Sequence, residues 1–171
     1  MIVSPSYCAM MARYNMWQNA SLMAAADTLD DAARLADRGA FFGGIMGTFS
    51  HLLWADRLWM SRVDGWDAPE GGIAESAALC TDWAAFEDAR DAADRRILGW
   101  AGRLDIEALS GELTWHSRAA GREVSLPTWQ CVAHFFNHQT HHRGQIHAML
   151  TAAGARPGDT DLVFMPEDVG L

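Results

Sequence analysis

The feature that most constrains this chain is a histidine-rich segment, because five of its seven histidines fall within residues 134–147. The segment lies inside a run, from about residue 127 to residue 153, that predicts one long helix. At about 100° per residue, four of the histidines share an arc of about 100°, and His147 points nearly the opposite way. The four are His134, His138, His141 and His142. This face is therefore either a metal site or an unusual surface.

Helical spacing limits which of these histidines can share a metal ion. Imidazoles four residues apart are about 6 Å from each other and can bind one ion at distances near 2 Å. His134 and His142 are two turns, about 12 Å, apart and cannot. The usable pairs are His134 with His138, or His138 with His142. Because an HxxxH pair is a common accident, a cluster of exposed imidazoles and hydrogen-bonded core histidines remain alternatives until a third ligand is found.

The composition predicts a single domain over residues 1–171. Half of the residues are apolar, which is enough for a full core. The net charge is −9, and all thirteen basic residues are arginines scattered along the chain. We expect no nucleic-acid partner, because such binding rests on clustered cations that neutralise phosphates.

The N-terminus and the cysteines favour a soluble cytoplasmic protein without a membrane partner. Residues 1–5 lack the start of a signal peptide, and no apolar run approaches the length of about eighteen residues that a membrane helix needs. Cys8, Cys80 and Cys131 are widely spaced and form no CxxC motif, so no disulfide is expected. Cys131 lies on the histidine face, but two turns before His138, which favours a buried apolar role.

Apolar periodicity predicts three further helices. They cover about residues 6–26, 45–63 and 81–102, and the charged stretch 27–38 is expected to be a connection. The second helix is apolar on most sides, which indicates a buried position in a bundle. It contains His51, which must be hydrogen bonded or coordinated, because an unpaired buried polar group costs about 1–3 kcal/mol. Alone, the pattern favours a hydrogen-bonded core histidine; together with the HxxxH pair, it favours a ligand.

Two alternating segments predict a short β-hairpin between the third and fourth helices. They are residues 113–116 and 123–126, with a turn at 119–121. His116 is expected to be exposed there, and the apolar tail at 161–166 is expected to fold back on the helices. The predicted fold class is all-α, a four-helix bundle with a short β-hairpin between helices 3 and 4.

Three separated segments carry a family resemblance. They are residues 14–19 (YNMWQN), 47–59 (GTFSHLLWADRLW) and 137–146 (NHQTHHRGQI), in the first, second and fourth predicted helices. Together they resemble the DinB family, part of the DinB/YfiT-like group of metalloenzymes. Their order and separations match as well, so the resemblance covers nearly the whole chain. Each motif is weak alone, and the three together are strong.

The resemblance implies an up-down-down-up four-helix bundle, often a homodimer. It also implies a divalent ion, commonly nickel or zinc, held by three histidines. Carried across by position, those ligands are His51, His138 and His142, so the resemblance selects between the two pairs that the spacing leaves open.

The same resemblance makes other residues neighbours of the metal site. His134 and His141 are expected to orient a ligand or a bound water, and Gln145, one turn beyond the last histidine ligand, is a similar candidate. Asp56 is a further candidate near the site. Arg143 projects away from His134, and we expect it to pair with an acidic residue such as Asp56.

Three neutral imidazoles leave a coordination position open, as in a catalytic site. An open divalent ion lowers the pKa of a bound water or deprotonates a bound thiol. The wider group includes mycothiol-dependent maleylpyruvate isomerase and bacillithiol transferases. The leading hypothesis is therefore a metal-dependent S-transferase, in which a low-molecular-weight thiol adds to a small electrophile. The electrophile is expected in an apolar cleft lined by Trp17, Trp54 or Trp59.

Two other functions remain as alternatives. A non-catalytic metal- or ligand-binding stress protein would keep the three histidines and show no metal-dependent turnover. A metal-dependent hydrolase would need an acid/base residue beside the open position, for which the candidates are His134, His141 and Asp56. Nucleophilic serine or cysteine catalysis is not expected, because neither residue type lies in a nucleophile-elbow context.

Overall fold

The computed structural model describes residues 3–170 and contains five α-helices and one β-hairpin in that range. The helices are α1 (Pro5–Asp27), α2 (Asp31–Leu35), α3 (Ile45–Val63), α4 (Trp83–Gly102) and α5 (Thr128–Ala152). The hairpin consists of β1 (Glu112–Ser117) and β2 (Arg122–Pro127), and short 3₁₀ turns lie at Ser76–Ala78 and Leu162–Phe164. The predicted fold class, an all-α bundle with a hairpin between its last two long helices, is confirmed.

Side-chain caps set the start of two of the long helices, α1 and α4. The Oγ atom of Ser4 accepts a hydrogen bond from the backbone N–H of Tyr7 at 3.2 Å, and Pro5 opens α1 with a fixed φ angle. Asp82 caps α4 in the same way through the N–H of Ala85 at 2.8 Å. Residues close in the chain therefore determine where these two helices begin.

The four long helices run up-down-down-up, as the family resemblance implies. Helix α1 packs against α4 and α5, and α3 packs against the same two helices. The contacts Asp27–Trp83 and Asn15–Asp94 show that α1 and α4 are antiparallel. The contacts Phe49–Phe86 and Asp56–Arg90 show that α3 runs parallel to α4. The contacts Tyr7–Phe136 and Asn15–Arg143 show that α1 runs parallel to α5. Helices α3 and α5 are thus antiparallel neighbours.

The β-hairpin packs against α3 and α5. Its register pairs Glu112 with Pro127 and Ser117 with Arg122, and the turn between the strands uses Gly121 at a φ angle of 63°. The ring of Trp115 on β1 packs edge-on against that of Trp59 on α3, with centroids 5.5 Å apart. The hairpin therefore forms one wall above the groove between α3 and α5.

Two segments differ from the sequence-based expectation. The connection 27–38 contains the short helix α2, which Asp30 caps by accepting a hydrogen bond from the N–H of Ala33 at 2.7 Å. The tail does return to α1, but through its backbone carbonyls, to which Arg13, Tyr14 and Gln18 donate hydrogen bonds. Its apolar side chains stay largely in solvent, and Val163 is 84% exposed.

The state of the cysteines and the character of the helices match the expectations drawn from the sequence. Cys8, Cys80 and Cys131 are free thiols, and Cys131 is buried, as expected. Among residues 3–170, no helix combines the length and apolarity needed to cross a membrane.

An arginine lies at the centre of the bundle between two carboxylates. Arg90 on α4 donates to Asp56 on α3 at 2.7 Å and to Asp94, one turn away, at 2.8 Å. All three side chains are buried. Burial raises the pKa of Asp94 to about 6, while the adjacent Arg90 favours its carboxylate form. The pair of Arg90 with Asp56 therefore joins α3 and α4 inside the core.

The same network extends to the other two helices. The amide groups of Asn15 and Asn19 on α1 donate to Asp94 at 2.8 and 3.0 Å, and Gln139 on α5 donates to Asp56 at 3.1 Å. Arg143 on α5 donates to Asn15.

The expected pair of Arg143 with Asp56 is wrong. The carboxylate of Asp56 is paired with Arg90. Arg143 instead donates a hydrogen bond to the side-chain oxygen of Asn15, and its guanidinium carbon lies 5.3 Å from the ring centroid of Tyr14. A cation from α4 rather than from α5 therefore neutralises Asp56.

We expect Arg90→Met to lower the free energy of unfolding by about 3–5 kcal/mol, because it leaves two buried carboxylates without their cation. Urea denaturation of the metal-free protein measures this change. The matched control is Arg95→Met, since Arg95 and Asp91 form an i, i+4 pair on the same helix with side chains 73% and 52% exposed. This control should cost at most about 1 kcal/mol. Equal losses in the two variants would contradict a structural role for the buried network.

Candidate metal centre

The structure brings together three histidines that are far apart in the sequence. His51 lies in the first half of α3, and His138 and His142 lie one turn apart on α5. One ring nitrogen from each lies within 4.8 Å of those of the other two. The ring centroids of His138 and His142 are 4.3 Å apart, and that of His51 lies 5.4 and 4.7 Å from them. Of the two candidate pairs on α5, the pair that meets His51 is His138 with His142.

The nitrogen positions suit one small ion. The Nε2 atoms of His138 and His142 are 3.1 Å apart. Two imidazole nitrogens bound at 2.0–2.1 Å to a tetrahedral ion are about 3.3 Å apart, so little movement is needed. Imidazole ligands suit zinc, copper, iron and nickel, whereas magnesium and calcium require oxygen ligands. The residues present therefore fit a divalent transition-metal ion.

Ser76 determines which nitrogen of His51 carries the proton. The Ser76 hydroxyl donates its only hydrogen to the carbonyl oxygen of Ile73 at 2.6 Å. It must therefore accept from Nδ1 of His51, which lies 2.8 Å away. The proton is held on Nδ1, and the lone pair on Nε2 is free for a metal ion. Ser76 is itself buried in the 3₁₀ turn against α3, so water does not compete for this hydrogen bond.

Gln145 has the same effect on His142. Its side-chain oxygen lies 2.7 Å from Nδ1 of His142, so that nitrogen is the donor. The Nε2 atom of His142 then carries the lone pair and faces His138. Both outer hydrogen bonds thus direct a free Nε2 atom toward the same point.

The surroundings keep the three imidazoles neutral. Burial, reinforced by the neighbouring His142, lowers the pKa of His51 to about 4. Burial and the adjacent histidines lower the pKa of His138 to about 3. Burial also lowers the pKa of His142, although Gln145 acts in the opposite direction. At neutral pH all three rings therefore keep the lone pair that a metal ion requires.

Phe42 covers one side of the histidine cluster. Its ring stacks on His51 with centroids 3.6 Å apart and an angle of 14°, and it meets His142 edge-on at 5.6 Å. It lies in the turn before α3, where Gly43 adopts a φ angle of 79° that only glycine accepts readily. Access to the histidines is therefore from the opposite side.

A cavity of about 680 Å³ opens on that side, next to His51 and His138. Its walls come from α3, α5, the hairpin and residues 68–75. Trp54 and Trp59 line it, as the sequence predicts for the apolar cleft. Trp17 does not, because it lies on α1 and packs against Tyr14 with ring centroids 5.9 Å apart.

The remaining candidate residues occupy different positions. His134 lines the cavity, its ring 5.7 Å from that of His138, and burial lowers its pKa. His141 is exposed beside His142, with ring centroids 4.9 Å apart, and it lies outside the cavity. Asp56 is buried in the ion-pair network and also lies outside the cavity. Of the three possible acid/base residues, only His134 faces the space where a ligand could bind.

Sequence reasoning missed Ser76 and Phe42. Ser76 is 25 residues from His51 in an irregular segment, and no local pattern indicates that the two side chains meet. The two glycines after Phe42 indicate a turn, but they do not indicate on which ring the phenyl group stacks. Both contacts depend on tertiary packing.

Comparison with known proteins supports the family resemblance. No curated protein and no solved structure matches the chain significantly. The model of the DinB family matches residues 1–168. That match covers nearly the whole sequence, including all three histidines of the cluster, and the chain therefore belongs to the DinB family.

Proposed function

We propose that His51, His138 and His142 together bind one divalent metal ion, nickel or zinc. The observation that carries the proposal is the convergence of their ring nitrogens within 4.8 Å, with Nδ1 of two rings committed to Ser76 and Gln145. Three ligands leave a coordination position open, and the cavity beside His51 and His138 gives access to it.

We further propose that this site serves a metal-dependent S-transferase that acts on small electrophiles. When bound at the three nitrogens, a divalent ion lowers the pKa of a thiol that reaches its open position. The chain supplies the rest of the site. Trp54 and Trp59 provide an apolar wall for the electrophile, and Phe42 shields the histidines from water on the closed side.

His134 is the residue placed to handle a proton during this reaction. It lines the same cavity one helical turn from His138, and its pKa is lowered by burial and by the charge of Arg62. A neutral imidazole accepts a proton from an incoming thiol within hydrogen-bond reach. The buried Asp56 cannot do so from within its ion pairs with Arg90.

We expect the zinc- or nickel-loaded protein to accelerate conjugation of a low-molecular-weight thiol to an aryl chloride such as chlorodinitrobenzene. The test measures product absorbance with cysteine, glutathione, mycothiol and bacillithiol, and compares the parent with His142→Ala. Loss of the rate in His142→Ala and after chelation, with retention in His147→Ala, whose side chain does not line the cavity, supports the transferase. Rates equal to the buffer for every thiol favour the non-catalytic stress-protein alternative, and release of phenol from an aryl ester without thiol favours the hydrolase.

We expect Ser76→Ala to weaken zinc binding by about 10- to 100-fold, because Nδ1 of His51 loses the acceptor that orients the ring. Competition with a chelator of known affinity measures this change. The matched control is Ser61→Ala on α3, whose hydroxyl bonds only to the carbonyl of Leu58 at 2.8 Å. An affinity for zinc that is the same in Ser76→Ala and in the control would exclude this role of Ser76.

A further inference from the structure

One face of α3 connects the histidine cluster with an arginine at the far end of the cavity. Arg62 follows His51 by eleven residues, which places it about 20° around the helix and about 16 Å along its axis. Both residues line the same cavity, and Trp54, Leu58 and Trp59 lie between them on this wall. The cavity is therefore elongated, with the histidines at one end and a cation at the other.

The Arg62 guanidinium packs against two indole rings. Its Cζ atom lies 4.5 Å from the ring centroid of Trp59 and 4.8 Å from that of Trp115 on the hairpin. Because the two rings are inclined at 71° to each other, they contact the guanidinium on adjacent sides, and its other N–H groups remain available to a ligand in the cavity. The stacking thus fixes the orientation of the group before any ligand arrives.

This guanidinium has no anionic partner in the described part of the chain. Within residues 3–170, Arg62 forms no ion pair and no hydrogen bond, although acidic residues outnumber basic ones by 22 to 13 in the sequence. Burial lowers the pKa of Arg62, so its charge is only partly hydrated. A half-buried cation without a counter-charge is costly unless something pairs with it.

The rest of the cavity favours an anion at this end as well. The cavity wall contains a second arginine, Arg118, and a single acidic residue, Glu75. The carboxylate of Glu75 accepts a hydrogen bond from the backbone N–H of Gly72 at 2.8 Å and forms no ion pair with Arg62. The wall is therefore more positive than the chain as a whole, whose net charge is −9.

We propose that the cavity binds a small molecule that has an apolar body and a carboxylate at the end remote from the histidines. Arg62 is the specificity-determining residue, and it binds the carboxylate through its exposed N–H edge. The planar carboxylate matches this edge in a bidentate pair, whereas Arg118, the other arginine of the wall, already donates to the carbonyl of Gly71. This proposal rests on the proposed function in one respect only, namely that the end of the molecule near the histidines is the end that reacts.

The test is calorimetric titration of the full-length, zinc-loaded protein with ω-phenyl carboxylates of increasing chain length. Each carboxylate is paired with its uncharged amide, and phenyl phosphate is included as the alternative anion. The variants are Arg62→Gln, Arg95→Gln as a control for net charge on an exposed arginine, and His142→Ala to remove any direct pairing of the anion with the ion.

We expect at least one carboxylate to bind the parent, Arg95→Gln and His142→Ala about tenfold or more tightly than its amide. In Arg62→Gln the ratio of the carboxylate's affinity to the amide's affinity should fall to about one. The amide should keep its affinity, which shows that the cavity is intact. Absence of binding by every carboxylate, equal binding of acid and amide in the parent, tighter binding of phenyl phosphate, or retention of the ratio in Arg62→Gln would overturn the proposal. Loss of the ratio in His142→Ala alone would place the anion at the histidines instead.

This design separates the anion site from the proposed metal function. Tighter binding of the carboxylate than of its amide, when it depends on Arg62 and persists in His142→Ala, establishes the anion site even when no thiol is turned over. Conversely, metal-dependent turnover without discrimination at Arg62 leaves the transferase intact and removes only the carboxylate.

Discussion

The fold depends on the buried ion pairs of Arg90, because they fix how the four long helices are rotated against one another. Arg90 joins α4 to Asp56 on α3, and Asp94 on α4 accepts hydrogen bonds from α1. Gln139 and Arg143 bring α5 into the same network. A buried polar group requires a specific partner, whereas apolar contacts tolerate small rotations.

This network places the histidines. Gln139 and Arg143 each follow a histidine of the cluster by one residue, about 100° around α5. When these two side chains face the centre of the bundle, His138 and His142 face the groove toward α3, where His51 meets them. The polar core and the candidate metal centre are thus two faces of the same helix, and the register of one determines the geometry of the other.

The sequence predicts the long helices well, because their signals are local. The predicted bounds of α3 agree with the observed helix Ile45–Val63, and the predicted hairpin also forms from residues close in the chain. The short helix α2 was missed because five residues, of which only Leu35 is a large apolar residue, are too few to show apolar periodicity. The partner of Arg143 was wrong because periodicity does not show which helix approaches Asp56.

The environment of the cluster could be predicted only in part. Spacing on α5 limits the ligand pairs to two, and the family resemblance adds His51. By contrast, the bond between Ser76 and His51 and the contact of Arg62 with Trp115 join segments that are distant in sequence. These contacts give the cavity its two ends, the histidine cluster, where we propose the metal ion, and a cationic end at the hairpin.

X-ray absorption spectroscopy of the zinc-loaded protein tests the central claim most directly, because multiple scattering from imidazole rings counts the histidines bound to the ion. The account predicts one ion per chain with three imidazole nitrogens at about 2.0–2.1 Å and a remaining light-atom ligand. It also predicts two imidazoles in His51→Ala. A sulfur ligand, a single imidazole, or a spectrum unchanged by His51→Ala would contradict it.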